Sequence, residues 1–335
     1  MNIVNMTVYC GTAIDTVSSP LYSLPLLMAI LSGPATLFIF GYTLATCKVL
    51  MHFNAMVLLK LAMLYASLFS LIYTSLAGFH LVRIVFAQDN CDVVYFAENC
   101  SIWRRITLTM LVAMTTTNVA QMIERMWATI NYKTYEKSTS KIFVVLLSTS
   151  TLLSSWGSIE WAMWEEDPSE YLTSCASFSS SPKISANIYI IFYFIFAADI
   201  IILITFYILL RQNKISRISA QLTQKFQMKE NIMVLRTLAP IIIANAVCFC
   251  IYALFLWLGR FIKHFITFME YKYYAVNSYI IPYISFITSI VIYRSLKQEE
   301  RRRHKILACI TVKVDSVTEM QKYFDHHFEQ WKRLK

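Results

Sequence analysis

Seven apolar stretches, each long enough to cross a membrane as a helix, divide this chain of 335 residues. A helix needs roughly 20 mostly apolar residues to cross about 30 Å of hydrocarbon. The stretches lack the alternation of β-barrel strands, so we predict an all-α membrane protein, a seven-transmembrane helix bundle. The spans lie at about residues 21–46, 56–80, 103–124, 141–164, 187–210, 234–258 and 272–293, and six or eight spans are the alternatives.

Composition agrees with a membrane protein. The chain is 57% hydrophobic and 15% charged, whereas soluble domains are about 45–50% apolar and about 25% charged. With 6 Gly and 7 Pro, it has little material for turns, which favours long helices with short links.

The direction of the bundle follows from the basic residues. Most of the 30 Lys and Arg fall in the links 48–60, 125–141 and 211–236 and in the tail from residue 294. The positive-inside rule predicts that these segments are cytoplasmic and that the N-terminus is outside. Residues 1–20 are then an extracellular N-terminus, residues 21–293 the bundle, and residues 294–335 a cytoplasmic tail with helical apolar spacing near its end. Charges placed in this way indicate contact with the lipid bilayer and not with nucleic acid.

Modification sites fit the same direction. The sequons at Asn5 and Asn99 fall on the predicted outer side and are candidate glycosylation sites. Cys309 follows a basic cytoplasmic stretch, so it is a candidate for palmitoylation, with an unmodified thiol as the alternative.

Four cysteines, Cys10, Cys91, Cys100 and Cys175, fall on the oxidising side, where disulfides persist. We predict a bridge between Cys100 and Cys175 that holds the loop between the fourth and fifth spans over the bundle. Cys91 is a competing partner, since four cysteines allow three pairings.

The sequence offers no metal site, cofactor motif or nucleophile constellation. No C-x-x-C pair, Walker A loop or G-x-S-x-G motif occurs, and no His pairs with another metal ligand at suitable spacing inside a span. We therefore predict that the chain is not an enzyme and binds no cofactor.

Polar and aromatic residues inside the spans are candidates for a ligand pocket. Asp199 stands near the middle of the fifth span, where an ionisable residue costs roughly 2.5–3.5 kcal/mol and usually faces the bundle interior. The other candidates, chosen by depth, are Tyr73, Tyr193, Tyr252, Tyr274 and Asn277. The alternative for each is ordinary packing or hydrogen bonding between helices.

Glu124 and Arg125 are adjacent where the third span meets the cytoplasm. Anchoring needs only a cation, so the acid beside it indicates a further role. The stretch "IERMWATINYKTYEK" (residues 123–137) resembles the E-R-x-x-A-T…Y-E signature of the nematode serpentine chemoreceptors of class epsilon, the Sre family. "LTQKFQMKENIMVLRTL" (222–238), "MHFNAMVLL" (51–59) and "YFDHHFEQW" (323–331) are similar to other segments of that family.

This resemblance implies a G-protein-coupled chemoreceptor in the plasma membrane of sensory neurons, with the sensory cilia as its expected site. It implies an unknown small ligand bound from outside and a heterotrimeric G protein inside, and a homo- or hetero-oligomer is compatible with it. The residues that would form the switch and coupling site are Glu124, Arg125, Thr129, Tyr135, Glu136, Glu230, Asn231 and Arg236.

Other kinds of membrane protein remain as alternatives. The first is a transporter or an ion channel, although the sequence shows no internal repeat. The second is an odorant receptor-channel, which requires a cytoplasmic N-terminus. Amphipathic spacing in residues 211–236 indicates that the fifth and sixth spans extend into the cytoplasm, to bind either a partner or anionic lipid.

Overall fold

The computed structural model describes residues 3–47, 51–131, 135, 141–172, 174–175, 182–219 and 222–313. Within these residues the chain forms nine helices and two short strands. These are α1 (Ile3–Ser18), α2 (Pro20–Thr46), α3 (Phe53–Phe86), β1 (Tyr95–Phe96), α4 (Ala97–Ile130), α5 (Lys141–Ala162), β2 (Tyr171–Leu172), α6 (Pro182–Ser219), α7 (Leu222–Ile262), α8 (Phe268–Ser278) and α9 (Ile281–Lys313). Seven segments are long and apolar enough to span a membrane, which confirms the predicted fold class.

The helices extend beyond several predicted spans. α4, α6 and α7 are each longer at both ends than the apolar stretches that predicted them, because polar and amphipathic turns continue the helix where hydropathy falls. The boundary predicted at residue 294 lies inside α9, which runs on to Lys313.

The predicted extracellular N-terminus contains α1, a helix that the sequence analysis did not predict. Ser19 separates it from α2, since the Ser19 hydroxyl accepts a hydrogen bond from the backbone of Leu21 and Pro20 opens the next helix. α1 packs against α2, α3 and α8.

The seventh span is broken into two helices. α8 ends at Ser278 and α9 begins at Ile281, with Tyr279 and Ile280 between them. Pro282 occupies the first turn of α9, where its missing N–H has no helical partner to lose. The sequence analysis predicted a span at about residues 272–293 and did not foresee this break.

α4 lies at the centre of the bundle. In its most apolar segment 72% of the residues are buried, against 22% in α5, whose exposed side chains include Leu146 and Leu153. Polar contacts add to the packing inside: Thr288 of α9 donates to Asn245 of α7 (2.6 Å), and Ser70 of α3 donates to Ser285 of α9 (2.9 Å). Such bonds stabilise helix pairs by about 0.6 kcal/mol each.

The two ends of the bundle differ in chemistry. One end, the disulfide end, carries the Cys10–Cys91 and Cys100–Cys175 bridges and the antiparallel pair β1–β2. The opposite end, the arginine end, carries the side chains of Glu124 and Arg125, close to the end of α4.

Candidate functional site

Glu124 and Arg125 form a buried ion pair in the last two turns of α4. Glu124 is 0% exposed and Arg125 is 2% exposed, and the guanidinium donates to both carboxylate oxygens through Nε and Nη2. Burying two charges is costly, and their attraction offsets that cost only where further hydrogen bonds satisfy the remaining polar atoms. The surroundings of this pair supply such bonds.

Tyr135 reaches back to the ion pair from the link after α4. Its hydroxyl donates to Glu124 Oε1, and Arg125 Nη2 lies 3.4 Å from the same hydroxyl oxygen. Burial raises the pKa of Tyr135 well above its ordinary value, and Glu124 adds to this while Arg125 opposes it. The phenol therefore stays protonated and keeps its donor.

Two asparagines connect the pair to α6 and α7. Arg125 Nη1 donates to Asn231 Oδ1 of α7 over 3.0 Å. Asn231 Nδ2 donates to the Thr129 hydroxyl (2.7 Å) and to Asn213 Oδ1 of α6 (3.2 Å), and Asn213 Nδ2 donates to the same hydroxyl (3.0 Å). Thr129 in turn donates to the backbone carbonyl of Arg125 (2.8 Å). Three helices thus share one set of hydrogen bonds.

His52 extends the cluster to α3. It precedes the first residue of α3, where its Nδ1 accepts from the backbone of Asn54 (3.4 Å), and the Tyr135 hydroxyl lies 2.9 Å from the same nitrogen. Burial, together with the Arg125 guanidinium, lowers the pKa of His52 to about 4. The imidazole is therefore neutral near pH 7 and can accept hydrogen bonds.

We call this group the arginine cluster. Its members are Glu124, Arg125, Thr129, Tyr135, Asn231, His52 and Asn213. The structure brings together the first five of these, all of which the sequence analysis named.

The remaining switch candidates lie outside the cluster. Glu230 is half-buried and interacts electrostatically with Arg125 and Arg303, whereas Arg236 is exposed. Glu136 lies outside the described residues.

Sequence reasoning missed His52 and Asn213. Asn213 lies among cations in "RQNK", and only the packing of α6 against α7 brings it to Asn231. His52 precedes a long apolar run, but His is not among the residues whose presence signals the start of a helix.

A small cavity lies at the disulfide end. It has room for about one water molecule, and Cys175 of the Cys100–Cys175 bridge contributes to its wall. The other lining residues are Tyr73, Leu76, Arg104, Thr107, Leu108 and Tyr279.

Of the predicted pocket residues, Tyr73 lines this cavity. Tyr252 lies beside it, with its ring centroid 6.2 Å from that of Tyr279. Tyr193 is half-buried on α6 and does not line the cavity. Asp199 is buried in α6 away from the cavity, and its Oδ2 has no hydrogen-bond partner among the described residues.

Two further pocket candidates have packing roles. Tyr274 donates from its hydroxyl to the backbone carbonyl of Phe255 (2.6 Å), which joins α8 to α7. Asn277 is exposed and donates to the carbonyl of Leu21 (3.0 Å), which joins α8 to α2. Neither residue lines the cavity.

The structure contains two disulfides. Cys100 is bonded to Cys175, the pair that sequence analysis proposed, with Cα atoms 5.0 Å apart. Cys10 is bonded to Cys91, with Cα atoms 4.7 Å apart, so Cys91 is not available to compete for Cys100.

The modification candidates are only partly described. Asn99 is exposed in the first turn of α4. The side chains of Asn5 and Cys309 lie outside the described part of the chain. Among the described residues, no group of three or more His, Cys, Asp or Glu side chains could hold a metal ion.

Comparison with known proteins identifies the family. Residues 8–332 match the family model described as "Serpentine type 7TM GPCR receptor class ab chemoreceptor". The chain is 26% identical to serpentine receptor class alpha-39 of Caenorhabditis elegans over 295 residues, which cover 86% of this chain and 78% of that protein.

Two further relatives from the same organism match over shorter stretches. Serpentine receptor class alpha/beta-14 is 26% identical over 51% of this chain and 45% of its own length. Serpentine receptor class beta-16 is 26% identical over 60% of this chain and 59% of its own length.

These matches confirm the resemblance to the serpentine chemoreceptors but not the class. The expected class epsilon is not confirmed, because the family model is that of class ab and the relatives are of classes alpha, alpha/beta and beta. The resemblance therefore holds for serpentine receptors in general and not for class epsilon. The chain belongs to the serpentine class ab chemoreceptor family of seven-transmembrane receptors.

Proposed function

We propose that this chain is a chemosensory receptor of the plasma membrane that binds a small ligand at the disulfide end and activates a heterotrimeric G protein at the arginine end. The observation that carries the proposal is the hydrogen bond from Arg125 to Asn231. It joins α4 to α7 at the end of the bundle opposite the cavity, so a change in helix packing at one end can alter the other.

The chemistry of the two ends supports the proposed orientation. Disulfides persist in oxidising environments outside the cell, and both bridges lie at one end. At the arginine end, Lys214, Lys225 and Lys229 are exposed on α6 and α7, as the positive-inside rule expects for a cytoplasmic face. The N-terminus, and the sequons at Asn5 and Asn99, would then be outside.

The proposed signalling step is a shift between two arrangements of the bundle. Ligand that binds one arrangement more tightly increases its population. In the arrangement described here Arg125 is held by Glu124 and Asn231, so its guanidinium is not available to a partner. Movement of α7 away from α4 would break the bond to Asn231 and expose Arg125 to the G protein.

Membership of a family of seven-transmembrane GPCR chemoreceptors supports this proposal. Expression in sensory cilia follows as the corresponding expectation for a receptor of external chemicals. A transporter or ion channel remains the competing function.

Cells that express the chain with a promiscuous G protein, screened with a panel of small molecules, would test the proposal. We expect a ligand-dependent response that Arg125→Ala abolishes while its surface level stays equal to that of the wild type. Loss of surface expression would instead make Arg125 a structural residue. Substrate or ion flux in liposomes without a G protein would favour the transporter or channel.

A further inference from the structure

The cavity at the disulfide end contains a buried cation. Arg104, in the second turn of α4, lines the cavity and is 2% exposed. Thr107 and Leu108 follow it on the same helix, and Tyr73 and Tyr279 face the same space. A guanidinium in such a place is costly without an anionic partner.

The direct partner is Glu166, from the segment between α5 and β2, and Glu170 of the same segment adds a second negative charge that acts on Arg104. Arg104 Nη2 and Glu166 Oε1 form an ion pair, and the Glu166 side chain is 4% exposed. The second carboxylate oxygen accepts from the Ser101 hydroxyl (2.9 Å) and lies 3.7 Å from Arg105 Nη2. The Glu166 carboxylate therefore neutralises the Arg104 guanidinium at the edge of the cavity.

Contacts other than those of Glu166 also hold this segment in place. The Cys100–Cys175 bridge and the β1–β2 pair already attach it to α4. Backbone bonds from Ala97 to Glu170 (2.9 Å) and from Glu98 to Pro168 (3.1 Å) add to this attachment.

Arg105 supplies a further attachment at the surface. It is ion-paired with Glu160 and donates to the carbonyl of Met163 (3.2 Å). The neighbouring buried pair, Arg104 and Glu166, differs from these attachments because its cation lies on the cavity wall.

We propose that Arg104 recognises the carboxylate of a small amphiphilic acid, and that Glu166 forms the ion pair with Arg104 when no ligand is bound. This inference rests on the proposed function, since it names the chemical class of the ligand. Arginine binds carboxylates through two parallel hydrogen bonds. The incoming carboxylate displaces that of Glu166, and no covalent bond is made or broken.

The rest of the cavity fits the apolar part of such a ligand. Leu76 and Leu108 present aliphatic surface, and Tyr73 and Tyr279 present ring faces. Ligand pockets of this kind are mostly apolar, with a few polar groups that fix the orientation of the ligand. An amine is a cation like the Arg104 guanidinium, so it cannot replace the carboxylate as the partner of Arg104.

The cavity is small in the arrangement described here. With room for about one water molecule, it accepts a ligand only when the bundle opens at this end. Displacement of Glu166 couples that opening to the position of the segment between α5 and β2, which the Cys100–Cys175 bridge ties to α4. The acid thereby favours a different packing of α4, the helix that carries Arg125.

Three substitutions separate ligand recognition from structure. Glu166→Gln keeps the size of the side chain but removes the competing negative charge, so acids should bind about tenfold more tightly, a change of about 1.4 kcal/mol. Arg104→Gln should abolish acid binding. Arg104→Lys, which keeps the charge without the two parallel donors, should bind more weakly than the wild type.

The test is the thermal unfolding of the purified full chain in lipid nanodiscs, with hexanoate or octanoate added. We expect a saturable rise in Tm for the wild type, half-saturation at about a tenfold lower concentration for Glu166→Gln, and no rise for Arg104→Gln. Methyl octanoate and octylamine serve as matched probes without the carboxylate and should give no saturable rise.

Three results would overturn the inference. They are an equal rise with methyl octanoate, a rise that persists in Arg104→Gln, or no rise with either acid in both the wild type and Glu166→Gln. If Arg104→Gln does not fold, Arg104→Lys and Glu166→Gln still decide, because both keep the buried cation.

Failure of this inference is distinguishable from failure of the proposed function. Thermal unfolding requires no G protein, so a missing response to acids would leave G-protein activation by the arginine cluster untouched. Acid binding without any G-protein activation would instead support the binding site and contradict the signalling proposal.

Discussion

Arg125 of α4 donates a hydrogen bond to Asn231 of α7 over 3.0 Å, and both side chains are buried. The same guanidinium is ion-paired with Glu124, its neighbour in the sequence. The Arg125 side chain thus takes part both in an ion pair within α4 and in a hydrogen bond between α4 and α7. Any motion that separates α4 from α7 at this end must first break that contact.

Tyr135→Phe should weaken the arginine cluster. It removes the hydroxyl that donates to Glu124, and a hydrogen bond to a charged group contributes about 1.5–3 kcal/mol. We expect a lower Tm in nanodiscs and higher ligand-independent signalling.

Tyr207→Phe is the matched control for Tyr135→Phe. Tyr207 is 67% exposed on α6, so the loss of its hydroxyl should change neither measurement. Equal Tm and equal basal signalling in Tyr135→Phe and the wild type would show that the hydroxyl contributes nothing.

Protonation of His52 should lower the stability of the folded chain at acidic pH. Burial and Arg125 lower its pKa to about 4 in the folded chain, whereas an unfolded His has a pKa of about 6.5. Between these values the unfolded state binds more protons, so stability is lost as the pH falls from about 6.5 to about 4.

The measurement for His52 is Tm as a function of pH for the wild type and for His52→Gln, which keeps a hydrogen-bonding side chain without titrating in this range. We expect the Tm of the wild type to fall further than that of His52→Gln as the pH is lowered over this interval. Parallel curves for the two proteins would contradict the role assigned to His52.

The fold was largely predictable because lipid imposes a simple rule. A chain in hydrocarbon must satisfy its backbone internally, so long apolar stretches become helices. The break at Tyr279 and Ile280 was missed because both flanking stretches are apolar. Pro282, which marks the start of α9, was the available signal.

The functional site was only partly predictable. Glu124 and Arg125 were found because charges at the edge of a span are unusual, and Asn231 through a resemblance in sequence. The contacts of Asn213 and His52 depend on how four helices pack, which no local pattern encodes. Arg104 was overlooked because its partner Glu166 is far away in the sequence and joins it through the fold.

The second disulfide is a separate test of the disulfide end. Peptide mapping without reduction should recover Cys10 joined to Cys91 and Cys100 joined to Cys175. Replacing Cys10 and Cys91 by Ser should lower stability by about 2–4 kcal/mol, because α1 loses its covalent attachment to the link after α3. Recovery of Cys91 joined to Cys100 or Cys175 would contradict the structure.

Gly33 should be intolerant of a side chain. A Cβ at this position would overlap the Thr74 hydroxyl and lie 3.1 Å from the backbone oxygen of Ser70, where α2 meets α3. We expect Gly33→Ala to lower stability by about 1–3 kcal/mol through overpacking.

Gly157→Ala on α5 is the control for Gly33→Ala. Apart from its chain neighbours and the nearby backbone of α5 itself, no heavy atom of the described residues lies within 4 Å of a Cβ at that position, so the substitution should leave Tm unchanged or slightly raised. A similar effect of the two substitutions on Tm would argue against close packing of α2 on α3.

Asn231→Ala should raise ligand-independent signalling, because it removes the acceptor that holds Arg125 to α7. A hydrogen bond from a charged group contributes about 1.5–3 kcal/mol, and each 1.4 kcal/mol changes an equilibrium about tenfold. Lys229→Gln, on the exposed face of the same helix, is the matched control and should not raise the basal signal.

The most direct measurement is nucleotide exchange on a purified heterotrimeric G protein by the receptor in nanodiscs without ligand. We expect Asn231→Ala to exceed the wild type about tenfold or more, Arg125→Ala to be silent, and the double variant to be as silent as Arg125→Ala. An Asn231→Ala variant no more active than the wild type, or a double variant that still stimulates exchange, would contradict the proposed role of the bond between Arg125 and Asn231.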